Sequence, residues 1–392
     1  MDFNFTNEQK MIVETARQIA KEFGPEYWQE KEENHHLPKD FFAELGKVGI
    51  LGLGIPEKYG GAGLGMTEAV LAIESLCSGG GGMAPALVYL LGVVFGGMSV
   101  LQHGNEEQKK KYLPKIASGD LLVSLGLTEP DAGTDTLSIG TFAKKDGDEY
   151  VINGNKMFIS GLEDAGIMVL VTRTTEKEAA QKKSLGLSLF IIDLPNDAIQ
   201  HTSIPKLGIN YAKTYELGIN DLRVPKECLL GEEGNGWYHI LDTLNPERFI
   251  TAAGAVGGGR LAIKTAVEYA KKRKVFGRPI GANQGIQFPL AEAYAKLECA
   301  WLATLRSAVM YDNGEDAKRV GDIANIAKYA AVEAAFKAVS QAMQTHGGYG
   351  YAKEYHVERW LREIMLVRVA PITQEMTLNY IGANILRMPK SY

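Results

Sequence analysis

The chain has 392 residues, enough for two or three domains, with 45% hydrophobic and 23% charged residues, the balance of a globular protein with a sizeable core. A net charge of −5 argues against a nucleic-acid binder, which carries a basic face. Three cysteines, Cys77, Cys228 and Cys299, lie far apart, with neither metal-ligand spacing nor the even count of a disulfide framework, so a reducing, cytoplasmic setting and no metal are expected.

The opening MDFNFTNEQK lacks the basic and apolar segments of a secretory signal. Thr6 or Asn7 is placed to cap a helix in which Ile12, Ala16, Ile19 and Phe23 recur at helical spacing, with Gly24-Pro25 ending it. A further helix is expected after Pro38, with Phe42, Leu45 and Val48 on one stripe. The segment IPEKYGGAGLG (Ile55 to Gly65) and the run Gly79 to Gly82 read as breaks. LVYLLGVVF, Leu87 to Phe95, is apolar but too short to span a bilayer, so no membrane span is expected.

From Leu121 to about Leu230 short β-rich runs alternate with turns. Asn153-Gly154 is a strong hairpin signal, and Ala165 to Thr174 and Leu187 to Pro195 read as buried strands. After GEEGNGW (Gly231 to Trp237) the chain becomes Ala- and Leu-rich and helical. GAVGGGR, Gly254 to Arg260, follows no strand; its small residues suit close helix packing better than a nucleotide loop. His346, within a glycine turn, reads as a structural histidine.

Five segments then become specific, in this order: LGLTEPDAGTD (Leu125 to Asp135), NGNKMFISG (Asn153 to Gly161), DLRVPKECLLGEEGNGW (Asp221 to Trp237), RKVFGRPI…QGIQ (Arg273 to Gln287) and QTHGGYGY (Gln344 to Tyr351). Each alone is a turn, strand or surface loop. Together, in order and spacing, the chain resembles the acyl-CoA dehydrogenase family over almost its whole length. That resemblance implies an α+β multidomain fold: an N-terminal helical domain (1–120), a middle antiparallel β-sandwich or barrel domain (121–231), and a C-terminal four-helix bundle (232–392).

It also implies FAD. Leu125, Leu127, Thr128 and Thr134 would border the flavin, where N–H and O–H donors facing N1 and O2 stabilise negative charge. Phe158 would pack on the dimethylbenzene side, and Ser160 replaces a threonine that reaches N5. Arg273, with a fork suited to phosphate, Phe276, Gln284, Gln344, Gly347 and Gly348 would meet the dinucleotide half of a neighbouring subunit's FAD. A homo-oligomer, commonly a tetramer, follows from this sharing.

Oxidation at Cα–Cβ needs a base, and a carboxylate in a dry pocket has a suitably raised pKa. In much of the family the glutamate sits in a YEGT segment near the C-terminus. Here the comparable stretch is REIMLVRVAPIT, and Pro371 stands at that position. Isovaleryl- and long-chain-type members carry it instead in an LxxER segment opening a C-terminal helix. LNPERFITAAG (Leu244 to Gly254) is similar to that segment and makes Glu247 the expected base. Glu375 is the next candidate, although the resemblance places it, with Thr373, against the flavin.

The substrate side would comprise Tyr89, Thr134, Asn245, Arg248, Ala370 and Pro371, with Tyr89 to Phe95 along the acyl tunnel. Pro371 has no N–H to offer a thioester carbonyl, and losing one such donor can cost about 2.7–4 kcal/mol. Pro246 should kink its helix or mark its first turn, and small Ala370 suggests room for branching near Cα. The resemblance implies flavin-dependent α,β-dehydrogenation of an acyl-CoA, with electrons passed to electron-transferring flavoprotein. The alternatives are other flavin chemistry on an acyl-CoA, such as desulfination or an oxygen-using reaction, and a non-catalytic scaffold.

Overall fold

The computed structural model describes residues 4–391. Helix α1 (Asn7–Glu22) opens with a capping box: Thr6 Oγ1 accepts the Gln9 N–H and Gln9 Oε1 accepts the Thr6 N–H, both at 3.1 Å. Gly24-Pro25 does more than end it, because Pro25 occupies the first turn of α2 (Pro25–Asn34), where its missing N–H costs nothing. In α3 (Lys39–Lys47) Phe42 and Leu45 are buried, but Val48 caps the helix and stays exposed. Helix α4 (Met66–Leu76) ends in the glycine run, where Gly80 and Gly82 take φ of 155° and 67°, conformations that side-chain-bearing residues avoid.

The apolar run Leu87–Phe95 belongs to a longer element than its composition indicated. Helices α5 (Ala84–Tyr89) and α6 (Ser99–His103) join through a widened turn, Leu90–Met98, into one 20-residue helix. By length and composition it could cross a membrane, yet 78% of its apolar window is buried inside the protein, so it is a core helix. Helix α7 (Glu106–Ser118) completes the N-terminal part.

The middle of the chain forms one sheet from β1 (Val123–Gly126), β2 (Phe142–Asp146), β3 (Glu149–Ser160), β4 (Ile167–Arg173), β5 (Leu187–Asp193), β6 (Ile199–Ser203), β7 (Thr214–Pro225) and β8 (Leu229–Leu230). The order is β6-β7-β3-β2-β4-β5-β8, with β1 beside β4. Pairing is antiparallel except where β4 meets β1 and β2. The expected hairpin at Asn153-Gly154 does not form. Strand β3 runs straight through it with a bulge, and the hairpin lies at Asp146–Glu149, where Gly147 supplies φ of 65°. Asn153 is occupied by Asp221, whose N–H and carboxylate bond its side-chain amide at 2.8 and 3.1 Å.

Four long helices make the C-terminal part: α8 (Gly236–Lys272), α9 (Gln284–Asp312), α10 (Ala317–His346) and, after the short α11 (Gly348–Tyr351), α12 (Val357–Val369). A small hairpin, β9 (Lys274–Val275) with β10 (Arg278–Pro279), links α8 to α9, and α13 (Gln374–Tyr380) follows α12. The small residues of α8 serve packing, as expected: a Cβ on Gly257 would stand 2.6 Å from the Cys77 Cβ. The N-terminal helices are fastened to the bundle by buried Glu363, which accepts the Met83 N–H at 2.9 Å and pairs with buried Arg359.

Candidate active site

Glu247 lies inside α8, not at its start, and Pro246 is an interior residue of that helix. The proline withholds a donor from the Asp242 carbonyl; packing of α8 on α4, α5 and α10 carries the helix through the gap. Glu247 is 1% exposed. Burial pushes its carboxyl above the ordinary carboxylate range, and the charges of Lys328 and Arg248 and the Thr251 hydroxyl pull it partly back. Thr251 Oγ1 donates to Glu247 Oε1 at 2.7 Å. Arg248 donates through Nη1 to Asn245 Oδ1 at 2.8 Å, while its buried Nε has no partner among the described residues.

Lys328 on α10 is equally buried and donates to the Ile372 carbonyl, in the link between α12 and α13. Burial lowers its pKa, against the opposing charges of Glu247 and Glu375. The ammonium thus gathers Glu247, the Ala370–Thr373 link and α13 into one locus. Ala370 is half-buried and Pro371 exposed; Thr373 caps α13 by accepting the Met376 N–H at 3.2 Å, and Glu375 is exposed. Sequence reasoning missed Thr251 and Lys328. Thr251 carries a signal, since it follows Glu247 at helical spacing; Lys328 carries none, because its partners come from distant segments.

The helix Ala84–His103 packs on both β1 and α8, the elements that carry Leu125 and Glu247. Tyr89 is fully buried, and its hydroxyl has no partner among the described residues. Val88 and Leu91 instead line a small apolar void with Phe42 and Leu122.

On the sheet, Leu125 lies half-buried one residue before the end of β1, Leu127 and Thr128 follow the strand, and Thr134 is exposed. Thr128 O accepts the Met157 N–H at 2.8 Å, whereas the Thr128 N–H has no partner in the chain among the described residues. Phe158 sits on a bulge of β3, held at φ of 60° and 61% exposed. A bulky residue with positive φ is strained, and bulges re-aim side chains. Ser160 Oγ pairs with Thr214 Oγ1 at 2.9 Å. A free N–H, an exposed aromatic face and nearby hydroxyls fit a flavin edge.

Arg273, Phe276, Gln284, Gln344, Gly347 and Gly348 are all exposed. They cluster at the far end of the bundle, where Tyr269 stacks on His346 at 4.4 Å. His346 is buried with Nδ1 2.7 Å from the Ala342 carbonyl, in keeping with a structural role. Arg273 closes α8 roughly 39 Å along the helix axis from Glu247, at 1.5 Å rise per residue. The structure therefore does not bring this group to Glu247 within one chain.

Three family models match in succession: the acyl-CoA dehydrogenase N-terminal domain over residues 6–120, the middle domain over 124–222 and the C-terminal domain over 234–386. The chain belongs to the acyl-CoA dehydrogenase family, FAD-dependent oxidoreductases. It is 37% identical over 387 residues to acyl-CoA dehydrogenase fadE12 of Mycobacterium bovis, covering 99% of this chain and 98% of that one. Butyryl-CoA dehydrogenase from Megasphaera elsdenii superposes with a TM-score of 0.92 at 32% identity, covering 99% of this chain and 100% of that chain. A chain from the work on the electron transferring flavoprotein of Acidaminococcus fermentans gives 0.92 at 33% identity, with the same coverage. The FAD complex of PigA also gives 0.92, at 26% identity and the same coverage.

Proposed function

We propose that this protein oxidises the Cα–Cβ bond of an acyl-CoA thioester to the enoyl-CoA, with Glu247 as general base. The carrying observation is a carboxylate that is 1% exposed, raised in pKa by burial and faced by Lys328 and Arg248. Glu247 takes the α-proton; Thr251 fixes one carboxylate oxygen, leaving the other to reach substrate. FAD, when bound, supplies the acceptor for the hydride leaving Cβ. Leu125, Leu127, Thr128, Thr134, Phe158 and Ser160 would hold the flavin, with Thr373 and Glu375 closing it. Asn245, Arg248, Ala370 and Tyr89 would shape the acyl-CoA side, and Ala370 would leave room for branching near Cα.

Electrons would pass on to an electron-transferring flavoprotein, in keeping with the similarity to a chain from the Acidaminococcus fermentans work. Because Arg273, Phe276, Gln284, Gln344, Gly347 and Gly348 lie far from Glu247, they would complete the FAD site of a second copy in a homo-oligomer, a tetramer in the family's common form.

The reaction is tested by anaerobic incubation with straight and branched acyl-CoAs and an artificial electron acceptor. A product lighter by one hydrogen molecule supports dehydrogenation. An unchanged panel from a yellow protein supports the second reading, other flavin chemistry on an acyl-CoA. Pro371 favours that reading, since it has no N–H for an enolate oxygen.

A further inference from the structure

The flavin-side loop is tied down by a buried ion pair. Lys156 on β3 has a side chain with 0% exposure, and its ammonium donates to Glu129 Oε1 at 2.8 Å and to the Leu127 carbonyl at 3.0 Å. Glu129, 10% exposed at its side chain, accepts the backbone N–H groups of Gly140 at 2.6 Å and Thr141 at 3.0 Å. Both ends of the loop from Leu127 to Thr141 therefore converge on one carboxylate–ammonium pair. The next residue on β3, Met157, donates its N–H to the Thr128 carbonyl at 2.8 Å.

The geometry has a directional consequence. The Leu127–Thr128 peptide is trans, and in a trans peptide the C=O and N–H point in opposite directions. Holding the Leu127 oxygen inward on Lys156 turns the Thr128 N–H outward, where it has no partner among the described residues. Burial pulls the Lys156 ammonium down to about 8, against the opposing charge of Glu129. Burial also works against the Glu129 carboxylate, but Lys156 and the loop donors outweigh it and its pKa falls. An ionised pair is the state that results.

We infer that Lys156 is a positioning residue: paired with Glu129, it holds the Leu127 carbonyl so that the Thr128 N–H faces the pyrimidine edge of the flavin, and the positive charge it keeps buried beside that edge raises the flavin's reduction potential while the Glu129 carboxylate lowers it. This rests on the reading that the loop borders the flavin. A merely structural tie would give a different pattern on substitution. Loss of either partner would loosen the loop and shift the potential in the same direction. A charged positioning pair instead predicts opposite signs, because Lys156 favours negative charge at the pyrimidine edge and Glu129 opposes it.

The test uses FAD-loaded native protein, Lys156→Met, Lys156→Arg, Glu129→Gln and, as a control on the same face, Phe158→Ala. Midpoint potentials are measured by dye equilibration, and visible spectra and thermal unfolding are recorded alongside. Lys156→Met should disfavour reduction about tenfold, a fall of ~30 mV for a two-electron couple. Lys156→Arg should lie between it and native, and Glu129→Gln should shift the potential upward. If Lys156→Met does not fold, the near-isosteric Glu129→Gln carries the test by its sign. Unchanged potentials, or a downward shift for Glu129→Gln, overturn the inference. A Phe158→Ala flavin spectrum identical to native, together with unchanged potentials, overturns instead the reading that the flavin lies at this loop.

Discussion

Thr251 Oγ1 donates a 2.7 Å hydrogen bond to Glu247 Oε1 from one turn further along α8. Both residues are buried, so the carboxylate is oriented by its own helix and surrounded by low-dielectric protein. The orientation is cheap, since the helix fixes both backbones; the desolvation is what raises the pKa.

Its sign fixes a pH dependence. The proposed base works only when ionised, so activity should fall as pH drops through a pKa that burial holds above the ordinary glutamate range. Lys328 favours the ionised form, and Lys328→Met should move this acid limb of kcat/KM to higher pH. A limb that stays in place, or moves down, would remove Lys328 from the account.

Gly257→Ala sets two effects against each other. Alanine gains about 1 kcal/mol of helix propensity, but its Cβ would meet the Cys77 Cβ and the Glu74 carbonyl, both at 2.6 Å. Neither is the free end of a flexible chain, so overpacking of about 1–3 kcal/mol should dominate. Urea unfolding should show net destabilisation; a gain would mean that α8 and the turn at Cys77 part easily.

Phe158 is held at φ of 60° while 61% exposed, so it has little burial to offset its strain. Phe158→Gly should stabilise the flavin-free protein by roughly 1 kcal/mol and weaken flavin retention. Unaltered flavin binding would contradict its assignment to the site.

Shared sites predict complementation. Glu247→Gln and Arg273→Ala should each be defective alone, the second by losing FAD. Subunits of the two variants co-expressed in one oligomer should recover part of the activity, because some sites then draw Glu247 from an Arg273→Ala copy and Arg273 from a Glu247→Gln copy. No recovery in verified mixed oligomers would place both residues in the same chain's site or remove Arg273 from it.

The helix–sheet–helix order was legible because composition changes near Leu121 and Leu230, and α1 was legible because Thr6 and Gln9 cap it locally. Asn153-Gly154 misled because the strongest short hairpin signal was used for a bulge inside β3, with Asp221 satisfying the asparagine. Of the two positions open to Pro246, a kink inside its helix or the first turn, the interior one holds, because the tertiary packing of α8 carries the helix past the missing N–H. The motif singled out Glu247, and its helix buries it. Lys328 and Lys156 were not legible, since each acquires its role from residues brought close only by folding, Lys328 from Glu247 and Ile372, and Lys156 from Leu127 and Glu129.

The most direct measurement is an anaerobic acyl-CoA titration of FAD-loaded native protein beside Glu247→Gln, following the flavin absorbance. Native protein should bleach with at least one acyl-CoA, while Glu247→Gln keeps its flavin and bleaches roughly 10²–10⁴-fold more slowly. Bleaching of Glu247→Gln at the native rate would contradict the account and move the search for the base to Glu375.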